Sequence, residues 1–411
     1  MRRQIGHAHY SYRFLENKFV ALWEARGMNP RLVQMPESIK HPGALLAVAG
    51  PDEGRVVHVA FRSTENFRLV PDVVNIAYFA WEFDVLKDTN LPHESILQNQ
   101  VRMLNLADEV WVPSTYSRDS LIRNGVPRVH VVPPPICGST GSERLSFEDA
   151  RALLAEVPCV PLTVTTGVGI EPMCIFTEAA ISSIGAQSAV ADRTGRIFLL
   201  ICNPGDARKN LLNSIEGFLL GAGPTDLFIV KLLVPNEGDY LVRGIPDRFV
   251  QRYFGPAAKY DPRVVFIFDY VSDEQMKALY SIADFYLSVP HCEGSNLPLL
   301  EAMACGTVPV SNRNTAMLDY VDGSAAVLVD EERYVGLTRT AGDVAGRVHA
   351  IHASTRFDVG RAVRAARNLT GEAYASMALA ARRNVASMFS MAAVDACARA
   401  RLTALTNVER A

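Results

Sequence analysis

The stretch that decides the fold is HCEGSNLPLLEAMACGTVPVSN, residues 291–312. Its centre, LPLLEAMACG, predicts a short helix with Pro298 near its first turn and Gly306 at its end. The apolar runs before and after that helix, FYLSVP and VPVSN, each predict a strand. A strand, a loop, a helix and a second strand in this order indicate an α/β sheet.

The loop EGSN follows the first of these strands. Open α/β sheets bind ligands at the carboxyl ends of their strands, and a helix N-terminus there offers unpaired amides to an anion. We therefore predict that the amides of Ser295, Asn296 and Leu297 face a diphosphate, with Gly294 letting the backbone turn and approach closely.

Two carboxylates flank this loop. Glu301 lies one turn into the helix, where a carboxylate can accept both hydroxyl groups of a ribose, and Glu293 precedes the turn, where it can hold sugar hydroxyls. Spacing alone leaves an alternative open, in which both are ordinary surface carboxylates beside a tight connection.

A second candidate site lies in LLICNPGDARKNLLNSIEGF, residues 199–218. The strand is predicted to end at Asn203, and Arg208 and Lys209 stand at the start of the next helix. Cations are unfavourable at a helix N-terminus, so this pair indicates a bound anion whose charge it neutralises. The alternative is a solvated pair on a helix end.

Composition narrows the class of protein. A chain of 411 residues predicts two domains, and a net charge of −3 does not favour binding to nucleic acid. Seven cysteines without a CxxC pair indicate reduced thiols in a cytoplasmic protein. No apolar run reaches the roughly 18 to 20 residues of a membrane-spanning helix. We expect a soluble protein and leave peripheral contact with the inner face of a membrane open.

Strand and helix patterns alternate along two stretches, which predicts an α/β fold with two Rossmann-like β/α/β domains facing across a cleft. The strand patterns of the first domain include RRQIGHAHY at residues 2–10 and PRLVQMP at residues 30–36. The predicted division is an N-terminal domain at 1–137, an insertion or linker at 138–195, a C-terminal domain at 196–384 and a C-terminal helix at 385–411.

The stretch EGSNLPLLEAMACGTVPV resembles the Glu-x7-Glu signature of the large family of retaining glycosyltransferases with the GT-B fold, the group 1 or family 4-like glycosyl transferases. The family commonly has glycine where Asn296 stands and a basic residue where Asn203 stands. Asparagine tolerates left-handed backbone angles, so the loop can still form.

The resemblance implies a reaction. A sugar would pass from a nucleotide-sugar donor to a hydroxyl of a carbohydrate or glycoconjugate acceptor, with polysaccharide biosynthesis as one setting. Lys209, Arg208 and Glu293 would be catalytic, while Glu301 and the residues of the loop, together with Asn203, would bind the donor. The chain contains no Asp-x-Asp motif, so the resemblance implies catalysis without a metal cofactor.

The resemblance also implies the remaining contacts. Tyr270 and Val271 would lie beside the nucleotide base, mainly through backbone groups. The first domain would bind the acceptor, and its candidate residues are Trp81, Glu82, Tyr116, His7 and His9. Packing in the core is the alternative for Tyr270 and Trp81, and a structural role is the alternative for the histidines.

Two other functions remain open from the sequence. One is a catalytically inactive GT-B subunit that binds and partners a true enzyme, an idea that Asn203 and Asn296 favour. The other is a GT-B epimerase or phosphorylase. The resemblance to the GT-B family also implies that the final helix crosses back onto the first domain. The sequence indicates neither the donor sugar nor the oligomeric state.

Overall fold

The structure is a computed structural model that describes residues 8–49, 56–88, 90, 95–136, 144–162, 182–204, 206–233, 261–337 and 348–407. None of the helices in these ranges is long and apolar enough to cross a membrane.

The first domain is a parallel sheet of four strands in the order β1-β2-β3-β4. These strands are β1 (Val57–Phe61), β2 (Val74–Tyr78), β3 (Glu109–Val112) and β4 (Val129–Val131). The helices of this domain are α1 (Ala8–Ala25), α2 (Pro42–Ala49), α3 (Gln100–Asn105) and α4 (Thr115–Arg123). The apolar stripe of α1 covers the sheet, and the Phe19 ring lies 5.2 Å from the rings of Phe61 and Tyr78.

The second domain holds a sheet of eight strands in the order β12-β11-β10-β7-β8-β9-β5-β6. These strands are β5 (Pro158–Leu162), β6 (Ser182–Ser183), β7 (Ile197–Cys202), β8 (Leu227–Leu232), β9 (Asp261–Ile267), β10 (Phe285–Ser288), β11 (Val308–Ser311) and β12 (Val327–Leu328). The pairs from β12 to β9 are parallel, and every residue of β7 and β8 is buried, as expected for strands covered on both faces.

Helices flank this second sheet. They are α5 (Phe147–Leu154), α6 (Ser188–Ala191), α7 (Leu211–Gly221), α8 (Asp273–Ile282), α9 (Leu297–Ala304) and α10 (Arg356–Arg367). An antiparallel pair, β13 (Glu332–Leu337) with β14 (Val348–Ala353), precedes α10. Helix α9 ends where the sequence predicts, because Gly306 follows it with a φ of 78°.

The structure corrects the prediction that residues 138–195 form an insertion or linker, as far as they are described. Strand β5 pairs antiparallel with β9 and extends the second sheet, with Val160 opposite Phe266. Helix α5 packs against α8 of the same domain. The segment is built into the second domain because its apolar strand residues are buried there.

Two strand predictions in the first domain also need correction. Residues 30–36 contain no strand, and Leu32 and Met35 are 61% and 62% exposed, so the apolar residues of this segment do not form a buried strand face. Of the strand predicted at residues 2–10, positions 8–10 begin α1 instead, and the earlier positions lie outside the described residues.

The C-terminal helices join the two domains. Helix α11 (Gly371–Phe389) belongs to the second domain, and α12 (Met391–Asn407) follows after a break at Ser390. Val394 and Ala398 of α12 lie in the same hydrophobic cluster as Phe19 of α1. Arg401 of α12 forms an ion pair with the buried Glu109 of β3. The last helix therefore packs on the first domain.

Candidate functional site

Two loops meet at the carboxyl edge of the second sheet. The first follows β7 and contains a 3-10 turn at Ala207–Lys209, and the second follows β10 and leads into α9. Strands β7 and β10 are neighbours, so their following loops are adjacent. The amide of His291 donates to the carbonyl oxygen of Arg208 at 2.7 Å, which ties the loops together. The sequence motifs around residues 208 and 293 thus form one site.

The centre of the site is a buried carboxylate that holds both predicted cations. Lys209 Nζ lies 2.5 Å from Glu293 Oε1, and Arg208 Nη1 donates to Glu293 Oε2 at 2.8 Å. Burial alone would raise the pKa of Glu293, but Lys209 and Arg208 outweigh it and hold the pKa below its ordinary value. Glu293 is therefore ionised at neutral pH.

Arg208 meets two further carboxylates. Its Nε atom lies 2.9 Å from Asp206 Oδ2 and 3.0 Å from Glu82 Oε1, and Glu82 belongs to the first domain. Burial lowers the pKa of Arg208, but Glu82, Glu293 and Asp206 outweigh it and raise the pKa well above its ordinary value. Sequence analysis missed Asp206 because an aspartate before a helix is commonly just a cap, and its side chain does accept from the Arg208 amide.

Helices α7 and α9, which follow the two loops of the site, are each preceded by an asparagine in the left-handed region. Asn296 before α9 has a φ of 55°, as predicted, and Asn210 before α7 has a φ of 53°. Sequence analysis missed Asn210, whose Nδ2 donates to the carbonyl oxygens of Val289 and Ser354 at 3.1 Å each. These left-handed residues turn the chain from each loop into its helix.

The structure corrects part of the prediction for Gly294. Gly294 is not among the residues with positive φ, so the sharp turn of the loop is made at Asn296. A Cβ atom on Gly294 would lie 3.5 Å from the Trp81 amide nitrogen, which is an ordinary contact. Gly294 instead marks the point where the loop faces the first domain closely.

We predict that Asn296→Ala lowers the free energy of unfolding by about 1 to 2 kcal/mol, the range for an alanine placed in the left-handed region. The substitution also removes the hydrogen bond from Asn296 Nδ2 to Ser288 Oγ. Urea unfolding of the purified protein measures the loss. Asn296→Gly is the matched control, since glycine adopts these angles freely. An equal loss in both variants would mean that the side-chain contacts, and not the backbone angles, matter.

Glu301, the predicted ribose ligand, lies between the domains. Its Oε2 accepts from the Tyr280 hydroxyl at 2.9 Å, and its Oε1 pairs with Lys18 Nζ of α1 at 3.1 Å. A carboxylate has about four acceptor positions, so both oxygens keep capacity for ribose hydroxyls. Sequence analysis missed Lys18 because its partner is in the other domain.

Other predicted donor residues lie on the same edge. The Ser295 carbonyl oxygen accepts from the Tyr320 hydroxyl at 2.9 Å. The amide of Ser295 lies just before the start of α9. Leu297, the first residue of α9, packs against the hydrophobic clusters of both domains. Asn203 follows β7 directly, and its carbonyl oxygen accepts from the Asp206 amide at 3.2 Å.

The predicted base-binding pair follows β9. Tyr270 is 40% exposed, which argues against a core role, whereas Val271 is 5% exposed and lies in the core of the second domain. The Val271 side chain therefore anchors the turn, which leaves the backbone of Val271 as its possible contact to a base.

The structure corrects the prediction for the Trp81 ring. Trp81 is 5% exposed, its ring stacks on Phe79 at 5.4 Å and meets Phe83 edge-on at 5.3 Å, and its Nε1 donates to the Val85 carbonyl oxygen. These contacts bury the ring in the first domain, so it does not offer a face to a sugar.

The other predicted acceptor residues lie in different environments. Glu82 reaches the cation cluster, formed by Arg208 and Lys209 around Glu293, and Tyr116 is half-buried at the start of α4. Burial, with Asp84 and Cys292 nearby, raises the pKa of Tyr116, which keeps its hydroxyl protonated. His7 lies outside the described residues, and for His9 only the backbone, in α1, is described.

This geometry defines a class of fold, and comparisons with known proteins agree. Residues 251–336 match the family described as Glycosyl transferases group 1. Three solved structures share the fold over most of the chain. HepE from Anabaena, in complex with UDP and glucose, has a TM-score of 0.51 at 12% identity, covering 81% of this chain and 72% of that one.

The other two are a sucrose-phosphate synthase from Thermosynechococcus elongatus and the trehalose-6-phosphate synthase OtsA. The first has a TM-score of 0.50 at 14% identity and covers 92% of this chain and 80% of that one. The second has a TM-score of 0.52 at 10% identity and covers 89% and 75%. The chain therefore has the GT-B fold, as predicted.

One curated relative matches part of the chain. The O-antigen chain mannosyltransferase B of Escherichia coli is 43% identical over 61 residues. The match spans 15% of this chain and 16% of that protein.

Proposed function

We propose that this protein is a retaining glycosyltransferase that transfers a sugar from a nucleotide-sugar donor to a hydroxyl acceptor without a metal ion. The observation that supports this most is the buried Glu293, which holds Lys209 and Arg208 beside the start of α9. Two cations and a helix N-terminus at the carboxyl edge of a parallel sheet form a site suited to a diphosphate.

The donor has a defined place in this proposal. Its diphosphate lies against the first amides of α9, with Arg208 and Lys209 opposite. Glu301 binds the ribose hydroxyls, and the turn at Tyr270 and Val271 lies beside the base. HepE, solved with UDP and glucose, supports a nucleotide-sugar donor for this fold.

The chemistry follows from where charge grows. As the bond from the sugar to the diphosphate breaks, negative charge collects on the leaving oxygen, and preorganised cations stabilise it. The acceptor hydroxyl attacks from the same face, and the departing phosphate takes its proton. Because Arg208 and Lys209 neutralise this charge, the proposal does not need a metal ion. Glu293 holds the cations in position and contacts the sugar hydroxyls.

The acceptor enters from the first domain, where Glu82 and Tyr116 face the second domain. The partial relative is named for a mannose-transferring step in O-antigen chains, which supports a glycan or glycoconjugate acceptor and a role in polysaccharide biosynthesis.

A panel assay tests the proposal. The protein is incubated with UDP-, GDP- and ADP-activated hexoses, with and without glycan acceptors, in the presence of EDTA. Release of nucleoside diphosphate supports transfer, and NMR of the product's anomeric configuration tests retention. Activity that EDTA abolishes would contradict metal independence. Binding of nucleotide sugars without turnover across the panel would favour the inactive partner subunit, and an interconverted donor sugar would favour the epimerase.

We predict that Glu301→Ala weakens binding of the free nucleoside diphosphate by about ten- to a hundredfold, the range for hydrogen bonds to a charged group. The carboxylate that accepts the ribose hydroxyls is lost, while the helix amides remain. Titration calorimetry with UDP and GDP measures the change. Glu372→Ala, an exposed glutamate in the first turn of α11, is the control. Equal affinities in wild type and Glu301→Ala would remove Glu301 from the donor site.

A further inference from the structure

The Nε–H group of Arg208 lies within hydrogen-bonding distance of two carboxylates. Arg208 Nε carries a single hydrogen, yet it lies 3.0 Å from Glu82 Oε1 and 2.9 Å from Asp206 Oδ2. Glu293 and the Cys292 carbonyl oxygen meet the same guanidinium at Nη1, at 2.8 and 3.2 Å. Glu82 and Asp206 therefore compete for one donor.

The formal charges of the cluster determine whether it attracts or repels a diphosphate. Among the described residues in contact there, two cations, Arg208 and Lys209, face three carboxylates, Glu82, Asp206 and Glu293. If all are ionised, the cluster has a net charge of −1, which repels a diphosphate. A bound diphosphate is favoured when one carboxylate leaves or loses its charge.

Two of the three carboxylates are fixed in place. Glu293 is 4% exposed in its side chain and is held by both cations. Asp206 belongs to the same turn as Arg208, and its Oδ1 accepts from the Arg208 amide at 3.3 Å. Neither can leave without breaking the loop that presents the cations.

Glu82 differs from both. It reaches Arg208 from the first domain, so it can leave Arg208 without breaking the loop that presents the cations. Burial raises the pKa of Glu82, and Arg208 opposes this, while Asp206 and Glu293 raise it further. The pKa of Glu82 is raised whereas that of Glu293 is lowered, so the environment of Glu82 favours a negative charge less than that of Glu293.

We propose that Glu82 is a counter-ion that the first domain holds against Arg208, and that the diphosphate of the donor displaces it. The inference rests on the proposed function, since it takes a nucleoside diphosphate as the ligand. Glu82 is then a positioning residue: it keeps Arg208 paired until the donor arrives. Donor binding and the Glu82–Arg208 ion pair become competing events.

The proposal predicts a gain of affinity upon removing a side chain. Glu82→Gln keeps the size of the side chain and removes its charge, so pyrophosphate, UDP and GDP should bind on the order of tenfold more tightly than to the wild type. Glu82→Asp retains the charge and should stay near the wild type. Titration calorimetry on the full chain measures all three ligands, and thermal unfolding checks that each variant is folded.

A second contact between the domains supplies the control. Asp319 of the second domain accepts from the Thr115 amide at 2.8 Å at the start of α4, and it does not contact the cation cluster. Asp319→Asn weakens the contact between domains and leaves Arg208 paired, so its affinity for pyrophosphate should not change.

Each result decides the proposal. Tighter binding of the ligands to Glu82→Gln, but not to Glu82→Asp or Asp319→Asn, supports the proposal. Unchanged or weaker binding to Glu82→Gln, with a wild type that binds, overturns it and leaves the proposed function standing. Equal tightening in Asp319→Asn overturns it too, because loosened domains would then explain the gain. Absence of binding of all three ligands to every form would overturn the proposed function and this inference together.

Discussion

Lys209→Ala is expected to lower kcat by about 10²- to 10³-fold, the size measured for one preorganised group that stabilises developing charge. Lys209 Nζ lies 2.5 Å from Glu293 Oε1, so the ammonium group is held in place before the reaction. Such a group need not reorganise as charge grows on the leaving oxygen. The loss should appear mainly in kcat, since the cation acts most strongly in the transition state.

Lys209→Ala can lower activity in two ways, by removing the cation and by disturbing the loop that holds it. Removing Lys209 leaves the buried Glu293 with Arg208 as its remaining cationic partner, so part of the loss can come from the disturbed loop. Comparing thermal unfolding of Lys209→Ala with that of wild type separates the two. Arg356→Ala is the control: Arg356, the first residue of α10, also pairs with a glutamate, Glu216, but its side chain is 49% exposed. Activity of Lys209→Ala within a few-fold of wild type would reject the role.

The helix and loop at residues 291–312 were predictable because their signals are local. Apolar spacing, a proline in the first turn and a terminal glycine define α9, and the tolerance of asparagine for left-handed angles accounts for Asn296. The same holds for the parallel strands β7 and β8, whose buried runs are read directly from the sequence.

Contacts between distant residues were not predictable in this way. The sequence suggested that Lys209 and Glu293 each face the ligand, but not that they pair with each other across a separation of 84 residues. Glu82 and Lys18 reach the second domain only because the domains face each other. Such pairs depend on how elements pack, which no local pattern encodes.

The wrong predictions have the same origin. Strand β5 was not recognised because an antiparallel strand depends on its partner for its place in the sheet, and that partner, β9, lies about a hundred residues later. The Trp81 ring was assigned to a sugar from its position after β2, but neighbouring aromatic rings at alternate positions bury it. Position after a strand thus predicted that a residue lies at the carboxyl edge of the sheet. Packing decided whether its side chain faces the cleft.

Glu293→Gln is expected to lower the free energy of unfolding by about 3 kcal/mol, the lower end of the range for breaking a buried ion pair. The lower end applies because Arg208 and Lys209 are 16% and 19% exposed in their side chains and can regain some solvent. For a domain of this size, the melting temperature should fall by about 6 to 12 °C. Turnover should also fall, because the cations lose the carboxylate that holds them.

The dependence on pH distinguishes a lost charge from a lost shape. The pKa of Glu293 lies below its ordinary value, since Lys209 and Arg208 outweigh burial. The ionised form therefore stabilises the folded protein above the ordinary glutamate pKa, and this stabilisation disappears as the pH falls through the lowered value. The melting temperatures of wild type and Glu293→Gln should differ at pH 7 and converge in acid. A constant difference would indicate a packing effect.

Asp261→Asn is the matched control for this experiment. Asp261 pairs with Arg263 at 2.7 Å at the start of β9, the opposite end of the strand from the cleft, and its side chain is 21% exposed against 4% for Glu293. A partly exposed pair contributes about 1 kcal/mol or less, so this variant should lose much less stability. It should also keep full turnover. If Asp261→Asn matched Glu293→Gln in both measurements, the cluster around Glu293 would be an ordinary ion pair of the domain and not the organising centre of a site.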